Sequence, residues 1–194
     1  MYIAPGYTDE DWKKLNLDDD ASSDWAKAIE ILEARIKGRY LDPADMLIAA
    51  DRQELPKNRR FGFTVLAVDC LLIETFQAFI EGRKETRNLS KKMFKAFLTT
   101  RPAFSSYFDQ QLAERFYYDF RCGILHQAEI PADSVVWSVG LLVRVDGQKM
   151  TVNRTKFHDA LKKEFDAYLK DLADSLQLQL RENFRKKMNH ICRV

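Results

Sequence analysis

Arg121 and His126 are the residues whose types and spacing offer chemistry, in the run Arg121-Cys122-Gly123-Ile124-Leu125-His126. An imidazole ordinarily titrates at about 6.5 and so moves protons near neutrality, while a guanidinium keeps its charge and stabilises negative charge as it develops. Together they suit proton transfer at a phosphate ester. The same spacing recurs at Arg185 and His190, in a basic stretch near the C-terminus. His158 stands among charged residues and reads as an exposed surface histidine. The chain has no glycine-rich phosphate loop, no Gly-x-Ser-x-Gly elbow and no Cys or His group at metal-ligand spacing, so no metal and no other cofactor is expected.

Arg121 interrupts an apolar pattern. From about Gln110, Leu112, Phe116, Phe120 and Ile124 recur at i+4, and Ala113, Tyr117 and Leu125 form a second line in which Arg121 holds the remaining place. Arginine is almost never buried without a partner. One reading is a core ion pair with Asp69 or Glu74, with His126 capping the end of its own helix. The other is a functional pair, with Asp69, Glu74 and Glu129 as supporting carboxylates. On an ideal α-helix five residues turn through about 500°, leaving the two side chains about 140° apart around the axis. A distortion at Cys122-Gly123, the reach of the arginine, or donation across a dimer would reconcile them.

The elements that position this pair are mainly helical. Seven Gly and five Pro among 194 residues are too few for the many tight turns of a sandwich or barrel. An N-terminal arm, residues 1–22, with Tyr2, Tyr7 and Trp12 to pack through, precedes a single helical domain over 23–194. Ser22, Ser23 and Asp24 offer caps for a helix with the stripe Trp25, Ile29, Leu32 and Ile36, and Gly38 can end it. Asp42-Pro43 opens a short helix through Met46, Leu47 and Ala50, and Gln53 to Arg60 reads as a loop. Phe61 to Ile80 is a central helix stopped by Gly82, and Met93, Phe94, Phe97 and Leu98 line the next, broken at Pro102. The helix carrying Arg121 should close before Pro131.

Between Val135 and Asn153 the period changes to two. Val135, Trp137, Val139, Leu141, Val143 and Val145 fall on one face, and Asp146-Gly147 signals a type I′ turn. That turn pairs Val143 with Met150 and Leu141 with Val152, so one β-hairpin over 134–153 is expected, its apolar face against the helices or a partner. Phe157, Leu161, Phe165, Tyr168, Leu172, Leu176 and Leu180 then read as one long amphipathic helix capped by Asn153 or Thr155.

Charge and cysteine usage bound the function classes. Lys and Arg total 31 against 29 acidic residues, so no whole-surface field holds nucleic acid and any such partner must meet a local patch. Lys57, Arg59 and Arg60 are the candidate RNA-contacting patch. Cys70, Cys122 and Cys192 have no paired spacing and read as reduced thiols, and no leader pattern opens the chain, which together suggest a cytoplasmic location. Phe61 to Ile80 holds Asp69 and Glu74. A carboxylate at mid-bilayer costs roughly 2.5 to 3.5 kcal/mol, so a buried helix without a membrane is the better reading.

The Arg, four to six residues, His pattern at Arg121 and His126 resembles that of HEPN-domain ribonucleases. The run from Arg60 to Phe79, together with Phe116 to Ile130, looks like bacterial HEPN-like proteins. The resemblance implies a helical bundle that dimerises and brings two Arg/His motifs into one cleft for metal-independent cleavage of RNA. Arg121 would stabilise charge on the phosphate and His126 would move protons at the ribose hydroxyl or the leaving oxygen. A toxin or phage-defence role, with an antitoxin or other protein partner, belongs to the same expectation. Cys122 replaces a residue that is often polar in the family, and Ala128 stands where some members carry tyrosine. A catalytically silent HEPN-type module that binds RNA, a nucleotide or a protein, and a purely structural helical protein, are the alternatives.

Overall fold

The chain opens with a two-stranded antiparallel ladder, β1 (Tyr2–Ala4) against β2 (Tyr7–Thr8), followed by α1 (Asp9–Lys13). Thr8 and Asp11 cap α1 reciprocally, each accepting the other's backbone N–H. Trp12 is buried, donates its Nε1–H to Asn189 at 2.8 Å and meets Phe184 edge to face, whereas Tyr2 stays exposed. In the computed structural model, which describes residues 1–194, the rest of the chain is mainly helical with one further small sheet.

Helix α2 (Asp24–Ile36) begins where its serines and aspartate predict, but Gly38 does not end it. Lys37–Leu41 is a π-helical turn that runs directly into α3 (Asp42–Arg52). Pro43 explains the widened turn: it has no N–H to donate, and its ring would clash with the carbonyl four residues back in a regular helix. The inner face of α3 is Ala44, Ile48 and Asp51, and Met46 points outward.

A loop with one 3-10 turn at Pro56–Asn58 leads to α4 (Gly62–Ile80), which packs against α3 and the three later helices α5 (Ser90–Thr100), α8 (Arg154–Ala173) and α9 (Leu178–Cys192). It is the one helix long and apolar enough to cross a membrane, and more than half of it is buried within the protein. Gly82 stops it as expected. At φ +64° it donates to Phe79 O at 3.2 Å, and Arg83 donates to Ala78 O at 2.9 Å, the Schellman arrangement. Helix α5 buries the four apolar residues expected of it. After the short α6 (Pro102–Ser105), α7 (Gln110–Phe116) is capped by Asp109 and continues without a break as a π-helix over Tyr117–Gln127. Phe116 and Phe120 hold this composite helix to the core, with ring centroids 4.9 Å apart, and Phe116 stacks on Phe157 of α8 at 5.0 Å.

The sheet is not the single hairpin that the alternation suggests. Strands β3 (Ser134–Trp137), β4 (Val143–Asp146) and β5 (Lys149–Asn153) lie in the order β3-β5-β4, with β4 antiparallel and β3 parallel to β5. The β4-β5 turn is centred on Gly147-Gln148, one residue later than expected, and pairs Val145 with Met150 and Val143 with Val152. Only Gly147 has positive φ, at +58°, so the I′ geometry that needs two such residues does not form. The buried apolar residues are Leu142, Val143, Met150 and Val152, while Trp137 is 38% and Leu141 60% exposed. Gly140, at φ +93°, turns the chain between β3 and β4, so alternation no longer dictates which way residues 138–141 face.

Asn153 caps α8 by accepting the N–H groups of Thr155 and Lys156. The long helix expected to reach Leu180 breaks at residues 174–177, where Leu176 is 84% exposed, and α9 follows. Arg181 of α9 folds back on the break. It donates from Nε to Leu172 O at 2.9 Å and from Nη2 to Ala173 O at 3.2 Å, so carbonyls left open at the end of α8 find a donor.

Candidate active site at Arg121 and His126

The π-helix decides the geometry of the pair. Bonding from i to i+5 widens each turn, so residues five apart come nearly one above the other instead of diverging around the axis. Arg121 Nη1 accordingly lies 2.9 Å from His126 Nε2. A guanidinium has only donors, so Nε2 accepts, and the imidazole in this contact is neutral with its proton on Nδ1. Gly123 makes the end of the π-helix possible: Ala128, at φ +53°, and Glu129 both donate to Gly123 O as the chain doubles back. A Cβ on Gly123 would stand 2.5 Å from the Glu129 carbonyl oxygen. Arg115 locks the returning chain by donating to Asp119, Asp133 and the Gln148 carbonyl, and Ser134 adds a bond to Asp119 at 2.8 Å.

Behind Arg121 stands Glu74 of α4, with Oε2 3.5 Å from Nη2. Thr86 donates to Glu74 Oε1 at 2.6 Å and Ser90 to Oε2 at 2.5 Å, which aims the carboxylate. The Arg121 guanidinium also lies 5.5 Å from the Tyr117 ring. Of the two carboxylates anticipated, Asp69 and Glu74, it is Glu74 that forms the ion pair, but Arg121 is not sealed by it: about a fifth of its side chain is exposed. It lines a cleft of about 280 Å³ whose other walls include Cys70, Leu71, Thr86 and Lys187. His126 is exposed and lines an adjoining open groove with Tyr118, Cys122 and Glu129. The pair thus stands between two openings, one on each side of the composite helix.

The remaining candidates divide. Glu129 is brought to the groove of His126, and one of its carboxylate oxygens accepts the N–H of Ile130. Asp69 is not brought to Arg121. Its Oδ1 lies 2.7 Å from Nδ1 of His158, which is fully buried and not a surface residue. Burial pushes the Asp69 carboxyl up to about 6, against the lowering influence of His158. Burial disfavours the charged form of His158, but the bond to Asp69 and the charges of Asp69 and Asp45 outweigh it, and its pKa is raised. Lys57, Arg59 and Arg60 lie before the start of α4, and from Gly62 to Glu74 the helix axis runs about 18 Å, so they form a separate patch.

Lys187 also lines the cleft, and the sequence does not point to it, because it lies on α9 and only the packing of α9 on α4 brings it there. It donates to Lys84 O at 2.8 Å, and burial followed by the charge of Arg35 lowers its pKa. Arg185 and His190, the second pair at this spacing, are not joined: Arg185 bonds Glu182 and Asp18. No protein-family model, no curated protein and no solved structure gives a significant match to the chain.

Proposed function

We propose that the chain is a HEPN-like, metal-independent endoribonuclease of the toxin or phage-defence kind, in which Arg121 and His126 cleave RNA at a dimer cleft. The observation that carries this reading is the 2.9 Å contact between a buried-edge guanidinium and an exposed imidazole at the mouth of two openings. At rest the guanidinium occupies Nε2, so the base is masked. A phosphodiester entering beside Arg121 offers its donors a stronger, charged acceptor, and transfer of the bond to a phosphate oxygen releases Nε2. Nε2 then takes the proton of the ribose 2′-hydroxyl, O2′ attacks phosphorus, and the bond to the 5′-oxygen breaks. The imidazolium so formed gives that proton to the leaving oxygen, which restores the neutral ring, and the products are a cyclic phosphate and a 5′-hydroxyl. Glu74 holds Arg121 in place throughout.

Exposed Leu71, Tyr118 and Leu125 surround the pair and support the dimer part of the reading, since apolar surface beside a half-site suits a symmetric contact. The test is incubation of the purified chain with mixed RNAs in excess chelator beside the Arg121→Ala protein, with light scattering at tens of micromolar. Cleavage by the parent alone and a dimeric mass support the proposal. RNA held intact by both proteins would favour a silent RNA- or partner-binding module, and a monomer that cleaves would remove the shared cleft.

A further inference from the structure

A second site lies at the other end of α4. Arg154, the first residue of α8, is 2% exposed, and its Nη2 donates to Asp51 Oδ2 at 2.7 Å. Its Nε and Nη1 are buried without an acceptor. Arg154 belongs to the wall of a pocket of about 70 Å³ that also includes Lys57, Arg59, Gly62, Trp137 and Ser138. Arg59 donates to Ser138 at 2.8 Å and to the carbonyls of Asp51 and Glu54, so its charge is fixed at the rim, and Lys57 is exposed beside it. Asp51 is the one carboxylate present. It is spoken for, since Oδ1 accepts the N–H of Arg60 and Oδ2 that of Phe61. Three cations against one anion leave a net positive pocket at the N-terminus of a helix of nineteen residues. Gly62 shapes it, because a Cβ there would stand 2.8 Å from Val136 of β3.

We propose that this pocket binds the phosphate monoester of a nucleotide, with the base stacked on Trp137. The volume is about twice the ~30 Å³ share of one water, enough for a phosphoryl group and not for a nucleoside. The nucleoside must therefore lie outside, where the 38% exposed Trp137 offers a ring at the rim. Arg154 supplies a buried positive charge in the wall, and Arg59 and Lys57 supply charge at the entrance. The inference stands apart from the chemistry of Arg121 and His126 and does not depend on it.

Calorimetric titration of the full chain at low salt tests it, with inorganic phosphate, adenosine, adenosine 5′-monophosphate, and two RNA oligomers that differ only in a 5′-phosphate. The monophosphate should bind roughly 10-fold or more tighter than phosphate or adenosine, since one stacked base is worth about 1–3 kcal/mol. Trp137→Ala should bring the monophosphate down to the level of phosphate, and Lys57→Glu, an exposed change that leaves the fold intact, should weaken both by about 10-fold. Preference for the phosphorylated oligomer identifies an RNA end as the ligand, and oligomers of equal affinity identify a free nucleotide. No saturable binding of phosphate or the monophosphate up to about 10 mM, or unchanged binding in both variants, would overturn the proposal.

Discussion

Arg121 Nη1 meets His126 Nε2 at 2.9 Å because the four residues between them are wound as a π-helix and not as an α-helix. The contact requires Nε2 to accept, so His126 should populate the Nδ1–H tautomer in the free protein. Long-range proton–nitrogen NMR at about pH 8 reads this directly. Arg121→Ala should shift the ring toward the other tautomer. Finding Nε2 protonated in the parent would mean that the two side chains do not meet in solution.

Gly123→Ala places a methyl group 2.5 Å from a backbone oxygen, which no rotamer change can relieve. The variant should lose about 1–3 kcal/mol in urea unfolding, the usual cost of overpacking, and should lose RNA cleavage although neither Arg121 nor His126 is altered. Unchanged stability with full activity would show that the return of the chain over Gly123 is not what holds the π-helix.

Asp51 and Arg154 are each 2% exposed as side chains and form a 2.7 Å ion pair. Burial raises the Asp51 carboxyl, but the N–H groups of Phe61 and Arg60 and the Arg154 guanidinium outweigh it and hold it below the usual carboxylate range. Asp51→Ala should cost about 3–5 kcal/mol, because it strands a buried guanidinium and removes the acceptor at the start of α4. The Asp51→Ala, Arg154→Met protein should recover part of that loss. A loss under about 1 kcal/mol for Asp51→Ala would contradict the assignment.

The Asp69–His158 pair makes stability depend on pH. Both groups have raised pKa values, so the native state keeps protons that the unfolded chain has released, and unfolding free energy falls as pH rises. The Asp69 contribution is complete below about 4 and lost through about 6, and that of His158 is lost as pH passes its raised value. From about pH 5 to about pH 8 the Tm of the parent should fall relative to the Asp69→Asn, His158→Gln protein. Parallel Tm curves would show that the pair does not titrate as a buried unit.

What was legible in the sequence was local. Met93, Phe94, Phe97 and Leu98 state a helix face, Gly82 states a helix end and Asn153 a cap, and each takes that place. His158 reads as exposed because its neighbours in sequence are charged, while its buried partner Asp69 comes from a helix 89 positions away. Leu176 and Leu180 continue a helical stripe, and only Arg181 folding back onto Leu172 and Ala173 reveals the break. Alternation identifies β3 as a strand but does not say that its neighbour is the parallel β5. At the site, an arginine on an apolar line calls for a carboxylate partner but leaves Asp69 and Glu74 open, and only the packing selects Glu74, whereas its meeting with His126 needs the π-winding that no residue spacing announces.

The most direct test of the proposed function is the single-turnover cleavage rate of RNA in excess chelator, measured for the parent and for His126→Ala, with matched DNA as a second substrate. The mechanism predicts cyclic phosphate ends, intact DNA, and a rate at least about 100-fold lower in His126→Ala, the usual worth of one acid–base group. Equal cleavage by the His126→Ala protein, or activity that disappears with chelator, would contradict it.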